Sequence, residues 1–178
     1  MDRFWLLTWT TYGTWLPGDE RGFVGPIEDE SGQTVIHNVP QTPYDADLPK
    51  LKQYALESLK GPPILLVLEQ AEALLEQLRE TAAHRGWEIL AVAVLRTHVH
   101  IVLGIPGDPE LETLLRDCKA YGSRKLNRGW KRPASGTWWT ESGSKRKLKG
   151  KPAIEAAVRY VVNQNNPLLV WSPGERGA

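Results

Sequence analysis

A chain of 178 residues, 41% hydrophobic and 24% charged, holds enough apolar material for one well-packed domain and is too short for two ordinary ones. This composition excludes disordered and collagen-like classes, and the one cysteine, Cys118, excludes an internal disulfide and a multi-cysteine zinc site. The formal net charge of +1, taken whole, gives no sign of a polyanion partner.

The opening MDRFWLLTWTTYGTW has neither the basic start nor the long apolar run of a signal peptide. No apolar stretch reaches the roughly 18 residues that a bilayer span needs. The expectation is a cytoplasmic protein with no membrane partner. Arg3 to Tyr12 is rich in aromatic and β-branched residues and stops at Gly13, as a strand entering a turn does. From Leu16 to about Pro63 the chain is rich in Gly, Pro, Asp and Glu, with one weak helical patch near Leu51 to Leu59. The expected organisation is therefore a single domain over 1–178 with an irregular insertion at about 16–63.

Leu66, Leu68, Ala71, Leu74, Leu75, Leu78 and Ala82 recur as the apolar stripe of an amphipathic helix that ends before Gly86. Trp87 to Leu95 and His98 to Ile105 are β-rich runs separated by Arg96 and Thr97, which predicts an antiparallel hairpin. A second helix is predicted over Pro109 to Asn127, a short strand over Thr137 to Thr140, and a third helix over Lys151 to Asn165 with Pro152 in its first turn. This order gives an α+β fold class: a ferredoxin-like split βαβ antiparallel sheet, with helices on one face and a further C-terminal helix.

His98-Val99-His100 opens a strand, so both imidazoles share one face while Val99, Ile101 and Leu103 enter the opposite layer. Two imidazoles at this spacing can share a divalent metal, and without a third ligand they read equally as a polar pair at a sheet edge. Tyr160 and Gln164 are four residues apart on a helix. An amide oxygen can complete the site of a hard divalent ion, with the phenol beside it. On spacing alone, Tyr160 is at least as well explained as a packing residue and Gln164 as a solvated helix end.

The strand THVHIVL, the basic region after it and the helix with RYVVNQ resemble the HUH single-tyrosine transposases, the group of insertion-sequence and REP-associated tyrosine transposases. RFWLLTWTTYGTWLPGD is similar to the N-terminal strand and turn of a subgroup, and NQNNP to the Asn-Pro segment of the REP-associated branch. The resemblance covers the opening 24 residues or so and Trp87 to Pro167, and it fails across about Pro26 to Pro62. It implies that His98, His100 and Gln164 hold a divalent metal, Mg2+ or Mn2+, and that Tyr160 is the nucleophile. The implied activity is metal-dependent nicking and strand transfer of single-stranded DNA through a 5′-phosphotyrosine. An ordinary phenol, with a pKa of about 10, is a weak nucleophile at neutral pH, which is why such chemistry needs a cation at the scissile phosphate. Tyr121, flanked by Lys119, Arg124 and Lys125, is an alternative nucleophile without a following amide, and reads better as a helix or DNA-contact residue.

Charge placement changes the first reading of the net charge. Residues 1–70 carry 5 basic and 10 acidic side chains, and Arg116 to Arg159 carry 13 basic and 3 acidic. Interleaved Tyr121, Trp130, Trp138 and Trp139 add stacking surfaces, a mixture suited to single-stranded or hairpin DNA. The expected DNA contacts are Arg116, Lys119, Tyr121, Arg124, Lys125, Arg128, Lys131, Arg132, Lys145, Arg146 and Lys147, although Lys145 to Lys151 alone also fits a solvated loop. The competing functional class is a non-catalytic, domesticated DNA-binding domain. A 2H phosphoesterase is set aside because the other histidines stand in IHNV and AHRG. In the resembled family, insertion-sequence members act as dimers with the tyrosine helix donated in trans and REP-associated members can act as monomers. The sequence leaves monomer and homodimer open.

Overall fold

The computed structural model describes residues 1–19, 25–28, 31–38, 48–108 and 110–174. Its elements are β1 (Arg3–Thr10), β2 (Gly25–Glu28), β3 (Thr34–His37), α1 (Pro49–Glu57), α2 (Leu68–Arg85), β4 (Glu88–Val94), β5 (His98–Ile105), α3 (Leu111–Gly129), β6 (Ser144–Leu148), α4 (Gly150–Val162) and β7 (Leu169–Trp171).

Five strands form one antiparallel sheet in the order β6-β1-β5-β4-β7, while β2 and β3 pair separately. β5 lies between β1 and β4, and β1 lies between β5 and β6. Two split βαβ units are thus interleaved, the expected ferredoxin-like arrangement, with β7 added at one edge.

Alternation along each strand sorts side chains into two layers. Trp5, Leu7 and Trp9 of β1 and Val99, Ile101 and Leu103 of β5 join the cluster covered by α2 and α3. Leu6, Val102, Ala91 and Ala93 face the other way, against Ala157 and Val161 of α4. A register irregularity between Ile89 and Ala91 puts these two residues in different layers and brings Val92 and Val94 into phase with the α2/α3 side. α2 begins where Gln70 Oε1 accepts the Val67 N–H at 3.1 Å and ends at Gly86, whose φ of 68° is the left-handed cap. Arg85 at the end of α2 grips the buried Asp117 of α3 at 2.6 Å.

Several boundaries differ from expectation. β1 stops at Thr10, and the Tyr12 hydroxyl instead accepts the Lys60 N–H at 2.7 Å. The predicted strand over Thr137 to Thr140 is only an isolated bridge between Thr11 and Trp139. Trp138 and Trp139 are buried anchors there, their indoles donating to Asn127 Oδ1 and Lys119 O. The strand is the next segment, Ser144–Leu148, overlapping the Lys145 to Lys151 run that also read as a solvated loop. Lysine-rich edge strands conceal themselves in hydropathy patterns because only one residue in the strand needs burial, here Leu148. The predicted third helix ends early, at Val162, because Asn163 leaves helical geometry, Asn166 adopts a φ of 52° and Pro167 follows. Of the expected 16–63 insertion, residues 20–24, 29–30 and 39–47 lie outside the described residues. The remainder contributes the β2–β3 hairpin and α1. Among the described residues, no helix is long and apolar enough to cross a membrane.

Gly18 joins the turn after β1 to α1. It has a φ of 79°, and a Cβ there would run into Leu48 O and lie 2.6 Å from Lys52 N. Gly32 has a similar φ of 77° but open space around it. Gly32→Ala is expected to cost about 1 kcal/mol through strain alone, and Gly18→Ala about 2–3 kcal/mol. Urea unfolding of the two variants measures the difference.

Candidate active site

The site is built on β5 and its neighbour β1. Their register sets Thr8 opposite His100 and Thr10 opposite His98, with all four side chains on the α4 face. The imidazole centroids of His98 and His100 are 4.8 Å apart with planes crossing at 81°. Each ring is anchored through Nδ1: His100 to Thr8 Oγ1 at 2.7 Å, and His98 to Thr97 Oγ1 at 2.9 Å. His100 is 4% exposed, and burial, with a smaller contribution from His98, pushes its pKa down to about 4. It is therefore a neutral imidazole at physiological pH, and its Nε2 is buried with no hydrogen-bond partner.

α4 lies across the same face and brings Tyr160 to the histidines. Its buried residues Ala157 and Val161 seat the helix on the sheet, and Tyr160 projects beside them with half its surface in solvent. The Tyr160 ring meets His100 edge-on, with centroids 5.2 Å apart and an interplanar angle of 74°. Gln164 lies beyond the helix end, so the expectation of one continuous helical face fails there. Its Nε2 nevertheless donates to Tyr160 O at 2.9 Å, which holds the amide near the tyrosine and leaves Oε1 as an acceptor. Ala156, Arg159, Tyr160, Asn163, Gln164 and Asn165 line a shallow groove along this exposed side of α4.

A divalent ion fits this donor set. Nε2 of neutral His100 is buried without a partner and would be a ligand atom in the tautomer protonated on Nδ1, and His98 stands beside it. Among the described residues, no three His, Cys, Asp or Glu side chains form a metal cluster. Further donors would be the Gln164 amide oxygen, water or a phosphate oxygen.

The family model described as "Transposase IS200 like" matches residues 65–164, more than half of the chain and the whole span from the start of α2 to Gln164. The chain belongs to the IS200-like transposase family. No curated protein sequence matches it. Among solved structures, it is similar to a REP-associated tyrosine transposase bound to a REP hairpin, at 14% identity and a TM-score of 0.48, covering 90% of this chain and 64% of that one. It thus spans under two thirds of that protein's length. A second similar structure is a protein of Deinococcus radiodurans R1 assigned as a transposase, at 17% identity and a TM-score of 0.45, covering 93% of this chain and 94% of that one.

In this member of the IS200-like transposase family the expected DNA-contact residues occupy distinct settings. Arg124, Arg128, Lys131, Arg132, Arg146 and Lys147 are exposed. Arg124 lies over the Tyr121 ring, Lys147 over Trp5, and Arg132 donates to Gly136 O. Arg116 approaches Asp117, Lys125 pairs with Glu76 at 2.7 Å and Lys145 pairs with Glu112. Lys119 is a structural clamp, its ammonium donating to the carbonyls of Thr140, Glu141 and Ser142 at 2.5, 2.8 and 3.1 Å. Tyr121 stands on α3, whose layer covers the sheet face opposite the histidine pair. Sequence reasoning missed Thr8, whose only signal was its polar position in the alternating WLLTWT of β1. It also missed that Arg146 of β6, paired with Leu6 of β1, shares the face of the histidines.

The depressed pKa of His100 carries a stability consequence. Between pH 6.5 and about 4 the unfolded chain takes up a proton that folded His100 refuses. Stability therefore falls as pH drops through that window and is complete above it, by up to about 3 kcal/mol. Urea midpoints of metal-free protein at pH 7 and pH 4.5 are expected to show this loss, and His100→Gln to reduce it.

Proposed function

We propose that this chain nicks single-stranded DNA beside a hairpin and transfers the strand through a covalent 5′-phosphotyrosine, with residues 1–178 working as one HUH-type domain. The observation that carries the reading is the contact between the Tyr160 and His100 rings, 5.2 Å apart within one chain. The pairing is intramolecular, which supports a catalytic unit that needs no tyrosine from a homodimer partner.

In this reading Tyr160 Oη attacks the scissile phosphorus. The phenol gives up its proton to solvent, the P–O3′ bond breaks and the leaving oxygen takes a proton to become a 3′-hydroxyl, while the phosphorus keeps its bond to O5′ and gains one to the phenolic oxygen. Because the phosphotyrosine keeps the diester's energy, a 3′-hydroxyl can attack it and restore a DNA strand without a nucleotide cofactor. Bound Mg2+ or Mn2+ would supply orientation of the phosphate and neutralisation of its developing charge. His98, His100 and Gln164 would hold it, and their neutral imidazole and amide donors leave its positive charge undiminished for the phosphate. The α4–sheet packing keeps Tyr160 beside that point, so the nucleophile loses little orientational freedom when DNA arrives. The exposed basic residues of α3, β6 and the segment between them would follow the backbone of the substrate.

A labelled single-stranded oligonucleotide carrying a hairpin tests this with Mn2+ present. Wild-type protein is expected to form a covalent adduct. Tyr160→Phe is expected to form none while binding the DNA within about twofold of wild type. An adduct in Tyr160→Phe would overturn the assignment. Wild-type protein that binds but never nicks would favour the non-catalytic DNA-binding class. Affinity is also expected to fall steeply with salt, since each phosphate contact contributes a slope of about −0.7 in log–log terms on single strands.

A further inference from the structure

We propose that Thr8 is a positioning residue that fixes the tautomer of His100, so that its Nε2 lone pair is the atom offered to the metal; the inference rests on the metal-dependent reading above. A neutral imidazole carries one proton, on Nδ1 or on Nε2. Thr8 Oγ1 stands 2.7 Å from Nδ1 and can donate to it or accept from it. If the hydroxyl donates, the ring proton sits on Nε2 and is a buried N–H with no acceptor. If Nδ1–H donates to Thr8, Nε2 is a bare lone pair, and a divalent ion is the partner that satisfies it. Only the second arrangement is compatible with ligation, and in it the Thr8 hydroxyl accepts the Nδ1 proton.

The neighbouring ring follows the same pattern. His98 has its Nδ1 at 2.9 Å from Thr97 Oγ1, so two threonines, one from β1 and one from the β4–β5 turn, hold the same nitrogen of the two imidazoles. Thr8 is the more informative of the two, because it lies 92 residues from His100 in sequence and reaches it only through the β1–β5 register. Its β-branched side chain has restricted χ1 freedom in a strand, which holds the hydroxyl at the ring.

Thr8→Val keeps the branched shape and removes the hydroxyl, while Thr8→Ser keeps the hydroxyl. Imidazole 15N NMR of metal-free protein reads the tautomer directly, and Mn2+ titration reads the affinity. Wild-type protein and Thr8→Ser are expected to carry the His100 proton on Nδ1. Thr8→Val is expected to lose that preference and to bind Mn2+ about 10–100-fold more weakly, with far-UV circular dichroism unchanged. Wild-type His100 protonated on Nε2, or Thr8→Val binding Mn2+ as tightly as wild type, would overturn the role of Thr8 while leaving the metal reading intact. No Mn2+ binding by the wild type would overturn the metal reading and this proposal together. If Thr8→Val fails to fold, the wild-type tautomer and the affinity of Thr8→Ser still decide.

Discussion

The antiparallel ladder between β1 and β5 joins two strands almost a hundred residues apart, and its register assigns every side chain of both strands to one layer or the other. With Thr8 opposite His100, the apolar positions Trp5, Leu7, Trp9, Val99, Ile101 and Leu103 enter the α2/α3 core together, and the histidines emerge on the α4 side. A slip of one residue would reverse this, driving imidazoles and hydroxyls into the larger core and putting indoles under α4. The burial of six large apolar side chains on one face therefore specifies the geometry of polar groups on the other. The core and the site are two readings of one register.

The second layer exploits that outcome. Small residues, Ala91 and Ala93 of β4 and Ala157 of α4, line the contact between helix and sheet, so α4 approaches closely enough for Tyr160 to touch His100. The same proximity desolvates His100 and keeps it neutral. A protonated imidazole there would be an unpaired buried charge, and the neutral form that packing favours is also the form the proposed metal would need.

Much of this was legible in the chain. Period-2 alternation placed His98 and His100 on one face, the stripe from Leu66 to Ala82 marked α2, and the Arg96-Thr97 break marked the β4–β5 hairpin. What escaped follows physical rules as well. β6 is a charged edge strand with one side toward solvent, so its pattern lacks the apolar alternation that announces a strand. The end of α4 was overrun by the regular spacing from Tyr160 to Gln164, although Asn163 and Asn166 carry the turn. Thr8 could not be connected to His100 at all without the register, because local spacing says nothing about a partner 92 residues away. That Tyr160 would lie against His100 of its own chain was equally invisible, since it depends on where α4 docks.

α4 is tethered at both ends: Lys149 alone separates it from β6 at one edge of the sheet, and a short segment leads from it to β7 at the other edge. The helix is a strap whose two buckles are strands, and releasing it means unzipping at least one of them. In the chemistry proposed here the phenol would then stay put between cleavage and rejoining. Religation of the original ends would be the default, and exchange of strands would require the DNA to rearrange around a stationary covalent bond.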